Sequence, residues 1–64
     1  MQGQYPLPAL EGDRVSYRTK TESGVGTFVL CWMGIEEVWD VKRFDRSTIH
    51  LYPALGDTMQ RVDQ

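Results

Sequence analysis

Covalent chemistry needs a nucleophile, an acid or base, and a group that orients them. Here the base would have to be His50, the only histidine, and the thiol Cys31, the only cysteine. His50 lies four residues from Arg46 and next to Leu51, with no acid beside it in sequence. It reads as an exposed strand histidine. Glu36 and Glu37 are adjacent, so in an extended or turn segment they point apart, which argues against paired-carboxylate catalysis. Gly24-Val25-Gly26 is too short to cradle a phosphate and leads into a strand rather than a helix. One cysteine and one histidine do not complete a four-ligand zinc site, and one cysteine forms no intrachain disulfide. The sequence therefore predicts no catalytic set, no metal and no cofactor.

Binding chemistry is better represented. Arg14, Arg18 and Lys20 share one face of an alternating segment. They form either a solvated strand face or a contact site for an anion. Aromatic side chains offer large rigid contact area and dominate interface hot spots. Tyr17 and Tyr52 are the expected surface aromatics, and Trp32 and Trp39 the expected core ones. The net charge of −2 argues against nucleic acid as the main ligand.

The elements that must position these residues are strands. From Asp13 to Lys20, Val15, Tyr17 and Thr19 alternate with Arg14, Ser16, Arg18 and Lys20. A polar connection over Thr21 to Gly24 follows, with Gly24 able to take positive φ. Gly26 to Met33 is apolar on both faces, Phe28, Leu30 and Trp32 on one and Val29, Cys31 and Met33 on the other. After a turn at Gly34 to Glu37, Val38 to Phe44 places Trp39 and Val41 opposite Asp40 and Lys42. A polar turn at Asp45 to Ser47 leads to Thr48 to Tyr52, with Ile49 and Leu51 inward and Thr48, His50 and Tyr52 outward. Pro53 ends that strand, Ala54 to Asp57 has room for one 3₁₀ turn, and Met59 to Val62 closes the sheet.

This order predicts an all-β chain: a five-stranded SH3-like barrel over residues 13–64, preceded by an extended N-terminal arm over residues 1–12. In the arm, Tyr5, Pro6, Leu7 and Pro8 favour extended backbone, and Leu7 and Leu10 are apolar enough to pack on the barrel. A chain of 64 residues has a core worth only roughly 3–5 kcal/mol. A strand that is apolar on both faces needs cover on both. Either the arm or a second subunit supplies it. The second option makes Phe28, Val29, Cys31 and Met33 interface residues of a homo-oligomer, dimer or tetramer. No apolar run reaches the roughly 20 residues that span a bilayer. The N-terminus carries no basic stretch followed by an apolar one. With a lone cysteine, these features predict a cytoplasmic protein without membrane contact.

Gly12-Asp13-Arg14-Val15, Gly26-Thr27-Phe28-Val29 leading to Trp32, and Ile49-His50-Leu51-Tyr52-Pro53 resemble the plasmid-borne, trimethoprim-resistant type II dihydrofolate reductases. The resemblance runs from about Gly12 to Val62. It implies an SH3-like barrel and a homotetramer around one central pore, with NADPH as the cofactor if the activity is kept. The family's pore uses a Val-Gln-Ile-Tyr stretch before a proline, and a lysine two positions after the valine of Gly-Asp-Arg-Val. Ile49, Leu51, Tyr52 and Pro53 fit that stretch, His50 stands at the glutamine and Tyr17 at the lysine. A histidine does not supply an amide's donor–acceptor pair.

The first functional expectation is thus a small non-catalytic module that binds a protein partner, of the kind found among phage and mobile-element accessory proteins or inhibitors. The alternatives are an NADPH-dependent oxidoreductase of the type II dihydrofolate reductase kind and a nucleic-acid-binding barrel. The expected binding residues are Thr48, His50, Tyr52, Tyr17, Arg14, Arg18 and Lys20. With His50 at an interface, its protonation is expected to weaken assembly.

Overall fold

The computed structural model describes residues 7–62. It contains β1 (Arg14–Arg18), β2 (Ser23–Met33), β3 (Glu37–Lys42), β4 (Thr48–Leu51) and β5 (Thr58–Arg61), with a 3₁₀ turn at Pro53–Leu55. All pairings are antiparallel, in the spatial order β4-β3-β2-β1-β5. The chain is therefore all-β, in the strand order of a five-stranded SH3-like barrel. The sheet is not closed, because β4 and β5 are both edges.

β2 organises the fold. Its residues 23–27 pair with β1 and its residues 27–33 with β3, so one strand serves both halves of the barrel. It begins at Ser23, three residues before the expected start, because Ser23 and Gly24, expected in the connection, already pair with Arg18 and Tyr17 of β1. The Thr19 amide donates to the Glu22 carbonyl at 2.8 Å, and Thr19 Oγ1 accepts from the amides of Thr21 and Glu22. Gly24 accordingly lies inside a strand, and its φ is not positive; the described residues with positive φ are Gly12, Arg46 and Gly56. What β2 needs from glycine is space. A Cβ on Gly26 would stand 2.5 Å from the Lys42 carbonyl oxygen and 2.8 Å from Val41 Cγ1. No larger residue fits there without moving backbone.

The second departure is a β-bulge. The register of β2 against β3 shifts between Phe28 and Leu30, where Val29 is the extra residue. A bulge sets two residues against one and resets the alternation beyond it. Phe28 and Cys31 therefore both face the core, and Leu30 and Trp32 face out. The expected grouping of Phe28 with Leu30 and Trp32, against Val29, Cys31 and Met33, does not hold. Trp32, expected in the core, is 46% exposed.

The core comprises Val15 and Tyr17 of β1, Phe28 of β2, Trp39 and Val41 of β3, Leu51 of β4, Met59 of β5 and Ala9. Phe28, Leu51, Val15 and Val41 are fully enclosed, each contributing roughly 1.5–3 kcal/mol of burial. Ala9 is the arm's contribution, whereas Leu7 and Leu10 stay exposed. The arm is braced where it meets β2: Gly12 N donates to Phe28 O at 2.8 Å, and Phe28 N donates to Asp13 O at 2.9 Å. Tyr5 and Pro6 lie outside the described residues. β3 ends at Lys42 rather than Phe44, because the Arg43 amide turns to donate to Ser47 O.

Candidate functional site

Three strands build the face that points away from the core. Directly opposed residues share a face, so Leu30, Asp40 and His50 form one row across β2, β3 and β4. Trp32 and Val38 form the next row on one side, and Thr27, Lys42 and Thr48 the next on the other. Val38 is 3% exposed although it lies outside the core cluster. Its cover is on this outer face, and Trp32 is the large neighbour opposite it.

At the centre of the face, one carboxylate holds two rings. His50 Nδ1 lies 2.6 Å from Asp40 Oδ1, and Trp32 Nε1 donates to Asp40 Oδ2 at 3.3 Å. The imidazole thus has the acid that sequence neighbourhood did not supply. Asp40 is ten residues away in the chain and directly opposite on the neighbouring strand. Its side chain is 17% exposed and that of His50 is 51%. The register itself was a usable signal. Counting outward from a turn centred on Asp45 brings Lys42 to Thr48 and Asp40 to His50.

The remaining candidates scatter. Thr48 is exposed beside Lys42, and Tyr52 is half-buried at the end of β4, where its amide donates to Asp57 Oδ2 at 3.0 Å. Thr48 and His50 face out and Ile49 and Leu51 face in, as expected, but Tyr52, expected on the same exposed face, is half-buried beyond the strand's end. Tyr17 is not a surface aromatic: its ring is in the core and its hydroxyl donates to Glu22 Oε2 at 3.0 Å. Phe28, expected at a subunit contact, is sealed in the core at 1% exposure. Cys31 packs against the core as well, and burial pushes its thiol above the usual range. Val29 and Met33 remain exposed. Arg14 and Arg18 project from β1 into solvent, and Lys20 lies beyond the strand's end in the β1–β2 turn. A groove of about 470 Å³ runs past Arg18, Gly24 and Met59, away from the outer face.

A second polar cluster serves the fold. Glu22 accepts from Arg43 Nε at 3.0 Å and from a terminal Arg43 nitrogen at 2.7 Å, and from Tyr17. The guanidinium holds the Glu22 carboxyl below its ordinary value. This clamp ties the β1–β2 turn to the β3–β4 turn. Glu37, expected in a solvated turn, opens β3 and accepts from Trp39 Nε1 at 2.7 Å. Among the described residues there is no cluster of three metal-ligating side chains, and no helix is long and apolar enough to cross a membrane.

Comparison of the chain with protein-family models, curated proteins and solved structures gives no match.

Proposed function

We propose that the protein is a non-catalytic interaction barrel that docks a protein on the outer face of β2, β3 and β4, and that its occupant is a second copy of this chain. One observation carries the reading. Trp32 presents its ring at 46% exposure beside Leu30 and Val29, while its Nε1–H is already given to Asp40. A buried indole normally needs a partner for that hydrogen. Here a docking protein can cover the ring without stranding a donor. The reading calls for no cofactor.

The face also suits a two-fold partner. In an isologous contact, residue i meets residue j and j meets i. Trp32 and His50 are both exposed on this face, so each can be set against the other on its copy. Size points the same way. A standard contact takes roughly 800 Å² from each partner, about a sixth of this chain's 4726 Å². A contact that large reaches well beyond the Trp32 ring, and across this face the next polar groups are Asp40 on β3 and His50 on β4.

The alternatives find less support. Tyr17 and His50 stand at the positions that the resemblance gives to the reductase lysine and glutamine. The first is buried and committed to Glu22, and the second is held by Asp40. Arg14 and Arg18 are exposed, but they belong to a chain of net charge −2.

Sedimentation equilibrium at rising protein concentration tests the proposal. A dimer is expected at high micromolar concentration, weakened about tenfold or more by Trp32→Ser. A monomer mass throughout, or a dimer indifferent to Trp32→Ser, overturns it.

A further inference from the structure

We infer that docking on the outer face is proton-coupled: the face closes against its copy when the Asp40–His50 pair carries the extra proton, so that association tightens as pH falls. The inference rests on the homotypic reading and adds its regulation.

The argument starts from what must be dried. Asp40 is nearly covered in the single chain, and its two oxygens are taken by His50 and Trp32. The exposed half of this cluster is the imidazole. When a partner removes its water, the pair is either a carboxylate beside a neutral ring or a carboxylate beside an imidazolium. The first buries one net charge on each copy, and the second buries none. An uncompensated buried charge is costly, whereas a close, hydrogen-bonded ion pair offsets most of its own desolvation. At 2.6 Å the geometry for the second is already built.

The surroundings do not provide another counter-charge at the centre of the face. From β2 the imidazole faces Leu30 and Trp32, neither of which titrates in this range. From β3 it faces Asp40, with Lys42 one row further out, exposed and opposite Thr48. On β4 its neighbour on this face is Thr48, and Tyr52 follows beyond the strand's end. Two neutral-histidine copies would also bring two unbalanced Asp40 carboxylates together in a chain that is already acidic. Protonation turns that repulsion into a dipole that a two-fold partner can match head to tail. The sign is therefore opposite to the one expected for His50 without an acid.

Linkage fixes the form of the test. A complex that binds more protons than its free parts gains affinity as pH falls. Sedimentation equilibrium at about pH 8 and about pH 5.5 brackets the range in which imidazoles change charge. The dimer dissociation constant of the unaltered chain is expected to fall about tenfold or more between them. His50→Gln keeps a donor for Asp40 without a titrating ring, and should flatten the profile. Asp40→Asn removes the counter-charge, and should reverse it, so that acid weakens the dimer. NMR titration of the His50 ring in the unaltered chain adds a readout that needs no variant: its midpoint should move to higher pH as the protein is concentrated. An equal dissociation constant at both pH values, or a weaker dimer in acid, overturns the coupling and leaves the homotypic reading standing. A chain that is monomeric at every pH overturns both.

Discussion

The two tryptophans lie on opposite faces of the same sheet, and each gives its Nε1–H to a carboxylate. Trp39 donates to Glu37 at 2.7 Å and Trp32 to Asp40 at 3.3 Å. Yet Trp39 is 7% exposed and Trp32 46%. The side-chain chemistry is alike, so the difference comes from position in the pleat. A single extra residue, Val29, decides that Cys31 points in and Trp32 points out. One face spends its aromatic on holding the fold together, and the other keeps its aromatic available.

Truncating each ring should expose that contrast most strongly. Trp39→Ala empties the core of a small domain and should cost about 3–5 kcal/mol, enough to abolish a cooperative thermal transition. Trp32→Ala should leave the transition in place, at a loss of about 1 kcal/mol through the uncovering of Val38. Similar losses for both would break the comparison. Gly26→Ala comes next. The new methyl meets backbone at 2.5 Å, and a loss of about 1–3 kcal/mol by urea denaturation is expected.

Deleting Val29 sharpens the role of the bulge. In an ordinary strand a one-residue deletion inverts every side chain beyond it. Here the deletion removes the residue that the bulge already sets aside, so Cys31 stays inward and Trp32 outward. The variant should fold cooperatively, with the tryptophan emission spectrum of the unaltered chain; a blue-shifted Trp32 would show that the face had turned over.

The smallest effect concerns the Glu22–Arg43 clamp. The guanidinium, and secondarily the Tyr17 hydroxyl, hold the Glu22 carboxyl below its ordinary value of 4.5. A depressed folded-state value means that the contribution is full above the unfolded value and fades as pH falls through the folded one. The denaturation midpoint of the unaltered chain should therefore drop in acid more steeply than that of Glu22→Gln. Parallel profiles would remove the clamp from the account.

Much of the architecture was legible because it is local. Alternation in Val15-Ser16-Tyr17 and Ile49-His50-Leu51, with Pro53 as a stop, places β1 and β4 and sorts their faces, apart from Tyr17, expected at the surface and found in the core. What was not legible depends on contacts between strands. Nothing in Phe28-Val29-Leu30 marks a bulge, since three apolar residues fit either register. The partnership of Asp40 with His50 depends on the hairpin register rather than on sequence neighbourhood. Ala9 is too small and ordinary to announce itself as core. Gly24 looked like a turn residue, and the tight packing at Gly26 was not visible, because a sequence does not distinguish a glycine chosen for its φ from one chosen for its missing Cβ.

The placement of β5 has a consequence in time. β1 reaches β2 through a turn of four residues, but it reaches β5 only from the far end of the chain, where Val15 pairs with Arg61. The three successive hairpins from β1 to β4 each close a short loop. The β1–β5 ladder closes almost the whole domain, and loop entropy makes such a closure slow. With four residues and Met59 as its one buried side chain, β5 has little to hold it once β1 loosens. Docking of β5 is therefore the expected last event of folding, and its amides the first of the ladder to exchange with solvent.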